Sequence, residues 1–135
     1  MKIEEHVLSV EQMKHLKELG MKVEDTALCW WEYHTDEFVV MPVNSVPEGL
    51  YYPTLTLQEI LELLPRRIAT ESNPNYTEYK LEIYPDYQVI SYVDVRSGKE
   101  AWGELWGDSV QMSILNAAYA MLCWVLEKGY LIIQL

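Results

Sequence analysis

Three histidines are the first places to look for metal or acid–base chemistry. His15 has Glu11 and Glu18 about one helical turn away on either side, so an imidazole and one carboxylate can share a helix face. That is a partial site, because no third protein ligand is apparent. An exposed helix face on which His15 makes local ion pairs is the expected arrangement. His34, with Asp36 and Glu37, sits where a hairpin tip is expected. A small enzyme using these three groups would need them in a pocket with perturbed titration, whereas a solvated turn asks nothing further of them. His6 lies near the N-terminus in a segment expected to fray.

Two further pairs have suggestive spacing. Tyr76 and Lys80 are separated as in tyrosine–lysine dehydrogenases, but that chemistry needs both on a helix beside a dinucleotide fold, and here they straddle an expected loop and strand. Arg66-Arg67 follows an expected helix end. It could clasp a carboxylate or phosphate, but cations at a helix C-terminus are favourable without a ligand. The sequence contains no glycine-rich phosphate loop, dinucleotide fingerprint, Cys-x-x-Cys, His-Glu-x-x-His or Gly-x-Ser-x-Gly. No catalytic residue, cofactor or metal is therefore assigned.

What remains is aromatic. The chain has one Phe but ten Tyr and five Trp, rings that pair an apolar body with a polar handle. Trp30, Trp31, Tyr33, Tyr84, Tyr92, Trp102 and Trp106 fall on expected strands. Trp30 and Trp31 are adjacent, so on a strand of period two they cannot both face the core. Trp102 and Trp106 share one face, opposite Leu105. The candidate interaction surface is accordingly Trp30, Trp31, Tyr92, Trp102 and Trp106. The alternative is that the loop at 43–53, with Tyr51 and Tyr52, or the first helix covers these rings.

Charge narrows the partners. Ten basic and 21 acidic residues give a net charge of −11. Phosphate backbones and anionic membranes are disfavoured, since both call for Lys/Arg clusters. The acids are spread along the chain rather than blocked, as on a solubilising surface. The sharper alternative is an acidic decoy occupying a nucleic-acid-binding protein. Cys29 and Cys123 lie in apolar stretches and are expected to be reduced core residues of a cytoplasmic protein. The first residues lack the apolar run of a secretory signal.

The elements that must position these groups are well punctuated. Ser9 and Gln12 form an expected capping box, with Leu8 and Met13 as hydrophobic staple, for a helix over about 10–19 that Gly20 stops. Residues 27–33 and 37–42 read as a hairpin around His34-Thr35-Asp36, and 43–53 as a loop. Thr56 and Glu59 cap a second helix, with Leu55 stapled onto Ile60, that ends before Pro65. A polar loop over 69–77 precedes a meander of strands at 78–84, 87–95 and 100–106. The last helix is expected from Asp108 to Lys128, boxed by Asp108 and Gln111 and stopped by Gly129. It is apolar around most of its circumference, and so should be the buried spine of the core. The expected fold is a single α+β domain over 1–135. A mostly antiparallel sheet of about five strands, in the order helix-strand-strand-helix-strand-strand-strand-helix, packs on the C-terminal helix.

Three stretches, Leu8 to Gly20, Leu55 to Pro65, and Ala117 to Trp124 with Gly129-Tyr130, together resemble a family of small uncharacterised proteins from gut Bacteroidales, often found among prophage or other mobile-element genes. The resemblance covers most of the chain and rests on caps, helix faces and stops. It implies a small accessory protein of a bacterial cytoplasm and supplies no catalytic residues. The expected function is a non-enzymatic protein-interaction module, acting on a protein partner or on itself, without direct nucleic-acid or membrane binding.

Overall fold

The helix boundaries follow from local chemistry. At the start of α1 (Val10–Glu18), the Ser9 hydroxyl accepts from the Gln12 backbone N–H, and the Ser9 N–H donates to Gln12 Oε1 at 2.9 Å. Gly20, at φ 95°, reverses the chain. The Gly20 and Met21 N–H groups then donate to the carbonyls of Lys17 and Leu16, each at 3.0 Å. These paired bonds satisfy carbonyls that the helix end leaves free. α2 (Leu57–Leu63) opens with the corresponding Thr56–Glu59 box, and Leu64 turns extended before Pro65. The computed structural model describes residues 2–23, 25–47, 50–72, 75–84, 89–98 and 113–130.

Two antiparallel sheets accompany these helices, where the sequence suggested one of about five strands. The first contains β1 (Leu28–His34), β2 (Glu37–Pro42) and β3 (Tyr51–Thr54), in the order β2-β1-β3. β1 and β2 form the expected hairpin, and Asp36, at φ 61°, turns it. β3 lies in the segment read as a loop. It pairs with β1 through Leu28–Thr54 to Trp31–Tyr51. As an edge strand it tolerates Pro53, which cannot donate to a ladder.

The second sheet has the order β4-β5-β6, from β4 (Arg67–Ser72), β5 (Asn75–Tyr84) and β6 (Val89–Asp94). The expected loop at 69–77 is instead the β4–β5 hairpin, with Arg67 opposite Lys80 and Ser72 opposite Asn75. β5 and β6 match two strands of the expected meander. The third, at 100–106, lies outside the described residues. Ile68, Tyr79, Leu81, Ile90 and Tyr92 turn toward the core, while Ser91 and Val93 are buried on the opposite side of β6.

The last helix, α3, runs Ile114–Glu127. The helix expected from Asp108 is described only from Ile114: Ser113 has extended backbone, and its hydroxyl accepts from the Asn116 N–H. A serine that can cap ends the helix there, since its side chain replaces the missing intrahelical acceptor. Asp108 and Gln111 lie outside the described residues. Leu115, Ala118, Met121, Leu122 and Val125 are buried in one cluster with Leu16, Ile60, Ile68 and Tyr92, so the spine role expected of this helix holds. Gly129, at φ 73°, closes it as Gly20 closes α1, with Tyr130 N–H donating to the Val125 carbonyl at 2.9 Å.

The Val7–Leu8 segment ties the N-terminus to the first sheet and to the entrance of α2. Leu8 N–H donates to the Leu55 carbonyl at 3.0 Å. The Leu8 carbonyl accepts from Trp30 Nε1 at 2.8 Å and from Thr54 Oγ1 at 2.6 Å. Val7 adds an isolated antiparallel bridge to Thr56.

Candidate interaction surface

Alternation along β1 divides its aromatics between two faces. Trp30 points inward with Val40 and Tyr52, and its indole N–H is bound to Leu8. Trp31 points outward. Its cross-strand neighbours are Val39 on β2 and Tyr51 on β3, and paired residues lie on the same side of a sheet. One step along, Met41 and Pro53 flank the buried Cys29. Tyr33 continues the face, its ring 5.9 Å from that of Trp31. The outer face therefore carries Trp31, Tyr33, Val39, Met41, Tyr51 and Pro53, with the Glu37 carboxylate beside Tyr33 at one end. Tyr33 and Tyr51 remain 44% and 46% exposed, and Leu50 beside them is 67% exposed.

The five rings singled out from sequence thus separate. Trp31 lies on the outer face and is half-buried. Trp30 is an anchor of the inner face. Tyr92 is not a surface residue: it is 0% exposed, its hydroxyl donates to the Pro65 carbonyl at 2.6 Å, and its ring stacks on Trp124 with centroids 6.0 Å apart. A tyrosine satisfies its hydroxyl within a core wherever a carbonyl lies in reach, and here the chain leaving α2 provides one. Trp102 and Trp106 lie outside the described residues. Tyr33, Tyr51, Val39, Met41 and Pro53 were not in the candidate set. Tyr51-Tyr52 was the available signal, since on a strand the two rings must part to opposite faces, but Pro53 disguised the strand.

The other chemical candidates resolve locally. His15 Nδ1 lies 3.7 Å from Glu18 Oε2 on an exposed helix surface, and its ring meets Tyr119 edge-on at 6.4 Å. His34, Asp36 and Glu37 are all exposed on the hairpin turn. Next to them, the negative charge of Glu37 pushes the Tyr33 phenol above its ordinary pKa. Tyr76 and Lys80 both lie on β5 rather than across a loop boundary, about 13 Å apart along an extended chain. Lys80 is paired with Glu82 at 3.1 Å. Arg67 is a strand residue paired with Glu78 at 2.9 Å, so its charge is matched across the sheet rather than at a helix end.

Both cysteines are free, and burial raises both thiols above the ordinary value. A thiol held protonated is a poor nucleophile. Among the described residues, no group of three or more His, Cys, Asp or Glu side chains could hold a metal ion, and no helix is long and apolar enough to cross a membrane. No protein-family model matches the chain, and comparison with curated proteins and with solved structures finds no match.

Proposed function

We propose that the chain is a non-enzymatic interaction module that binds a protein through the outer face of its first sheet. The observation that carries this reading is a contiguous apolar face with two exposed tyrosine rings, Tyr33 and Tyr51, beside half-buried Trp31. Tyr and Trp supply large contact area at low entropic cost and are enriched where proteins meet. The partner's chemistry follows from charge. Between residues 23 and 65 the sequence has Glu24, Asp25, Glu32, Asp36, Glu37, Glu48, Glu59 and Glu62, and no Lys or Arg. The complementary surface is an apolar patch rimmed by Lys and Arg. The resemblance to mobile-element proteins of gut Bacteroidales supports an accessory role in a bacterial cytoplasm.

The test is tagged expression in the native host, with purification at low and high salt, for the wild type and a Tyr33→Ser/Tyr51→Ser variant. Both positions are exposed, so circular dichroism and Tm should barely change. A stoichiometric partner that survives high salt and is lost from the variant supports the reading. Retention of that partner by the variant, or recovery of a monomeric bait alone, overturns it. The same basic-free stretch favours one second reading, an acidic decoy for a nucleic-acid-binding protein. A decoy captures basic proteins equally with or without the two tyrosines and releases them as salt rises.

A further inference from the structure

Several lysines of this acidic chain gather at one apolar groove. On α1, Val10, Met13, Lys14 and Lys17 follow helical spacing and share a face, while Glu11, His15 and Glu18 lie on another. Gly20 turns the chain back, and Met21, Lys22 and Val23 form a second wall. Tyr52 and Pro53, on the edge strand β3, complete the lining of a cavity of about 580 Å³. Three of the chain's ten basic residues therefore rim a single concavity. Lys14 Nζ is held over the Tyr52 ring, 5.9 Å from its centroid. Among the described residues, neither Lys14 nor Lys17 is paired with a carboxylate.

We infer that this groove binds a small amphiphilic carboxylate: a single apolar chain lying along Val10, Met13, Met21 and Val23, with its anionic head between Lys14 and Lys17. The volume is that of a small-ligand pocket. Its walls between the lysines are apolar, and the two methionines are soft enough to close around an unbranched chain. The lysines select the head. In a chain of net charge −11, an anion is repelled everywhere except where cations gather, and a cationic amphiphile finds no counter-charge at this rim. Met13 and Met21 also belong to the main core cluster, so an occupant extends that core and should raise Tm. This site shares only Pro53 with the residues named on the outer sheet face, and stands whether or not that face binds a protein.

The experiment is titration of the full chain with dodecanoate, below its micellar concentration and at low ionic strength, followed by amide chemical shifts and calorimetry. Dodecanol is the uncharged control, and Lys14→Gln/Lys17→Gln the variant. Both lysines are exposed, so the variant should fold normally. Expected are shifts concentrated in residues 10–23 and 52–53, and binding of dodecanol roughly tenfold weaker or worse. The variant should lose about tenfold in affinity for dodecanoate alone, as loss of a charge-assisted contact predicts. Equal affinity for acid and alcohol, indifference to the two substitutions, shifts centred on another face, or no binding at all overturns the inference. An acidic amphipathic peptide that perturbs the groove while dodecanoate does not also overturns it, and makes the groove a helix-docking site instead.

Discussion

Tyr92 lies wholly inside the core, 0% exposed, with its ring stacked on Trp124. The sequence marks it as an aromatic with a polar handle, which suits a recognition surface and a satisfied core position equally. What decides is the Pro65 carbonyl, 27 residues earlier, which receives the hydroxyl at 2.6 Å. No local pattern encodes that distance. Tyr92→Phe should cost about 1 kcal/mol in urea unfolding, the net worth of one buried hydrogen bond. Burial also pushes the Tyr92 phenol far above the ordinary tyrosine value, and the Tyr119 phenol likewise. The unfolded chain gives up these protons first, so their contribution to stability is complete below a pH of about 10 and falls as pH rises toward the folded values. Stability measured between about pH 9 and 11 should therefore decline, and decline less steeply in Tyr92→Phe. An equal slope in both proteins would show that Tyr92 ionises as readily folded as unfolded.

Elements were legible where the backbone itself demands a residue type. Ser9, Thr56, Gly20 and Gly129 mark helix ends because unpaired N–H groups need an acceptor, and because a left-handed residue must close the last turn. Gly129 makes the point measurable. It sits at φ 73°, and a Cβ added there would meet nothing within 4 Å. Gly129→Ala should thus cost about 1 kcal/mol through backbone conformation alone, read as a lower urea midpoint at unchanged m-value. Strands β3 and β4 were missed because tertiary pairing, not local pattern, makes them. β3 has four residues with a proline among them, and β4 has Ile68 as its only large apolar side chain. Each becomes a strand because a stronger neighbour, β1 or β5, offers it a ladder. The candidate face suffered in the same way: Trp31 was visible in the sequence, but its neighbour Tyr51 belongs to the surface only once β3 exists.

At the scale of the whole molecule, the described residues of the three helices and of the second sheet share one apolar cluster under a heavily anionic surface. Self-repulsion at net charge −11 opposes compaction, and salt screens it. Tm at neutral pH should rise as sodium chloride goes from about 10 to 150 mM, a span over which the screening length shortens from roughly 30 to 8 Å. A Tm that falls instead would mean that surface ion pairs such as Arg67–Glu78 outweigh the repulsion. The three bonds at Leu8 carry a consequence in time. Among the described residues, its amide donates to Leu55 and its carbonyl accepts from Trp30 and Thr54. On a ribosome, the opening segment must therefore wait until residue 55 has cleared the exit tunnel before it can dock. Until then α1 lacks the strand and core partners it packs on, so the segment from α1 to β3 is organised in a single late event rather than element by element as it emerges.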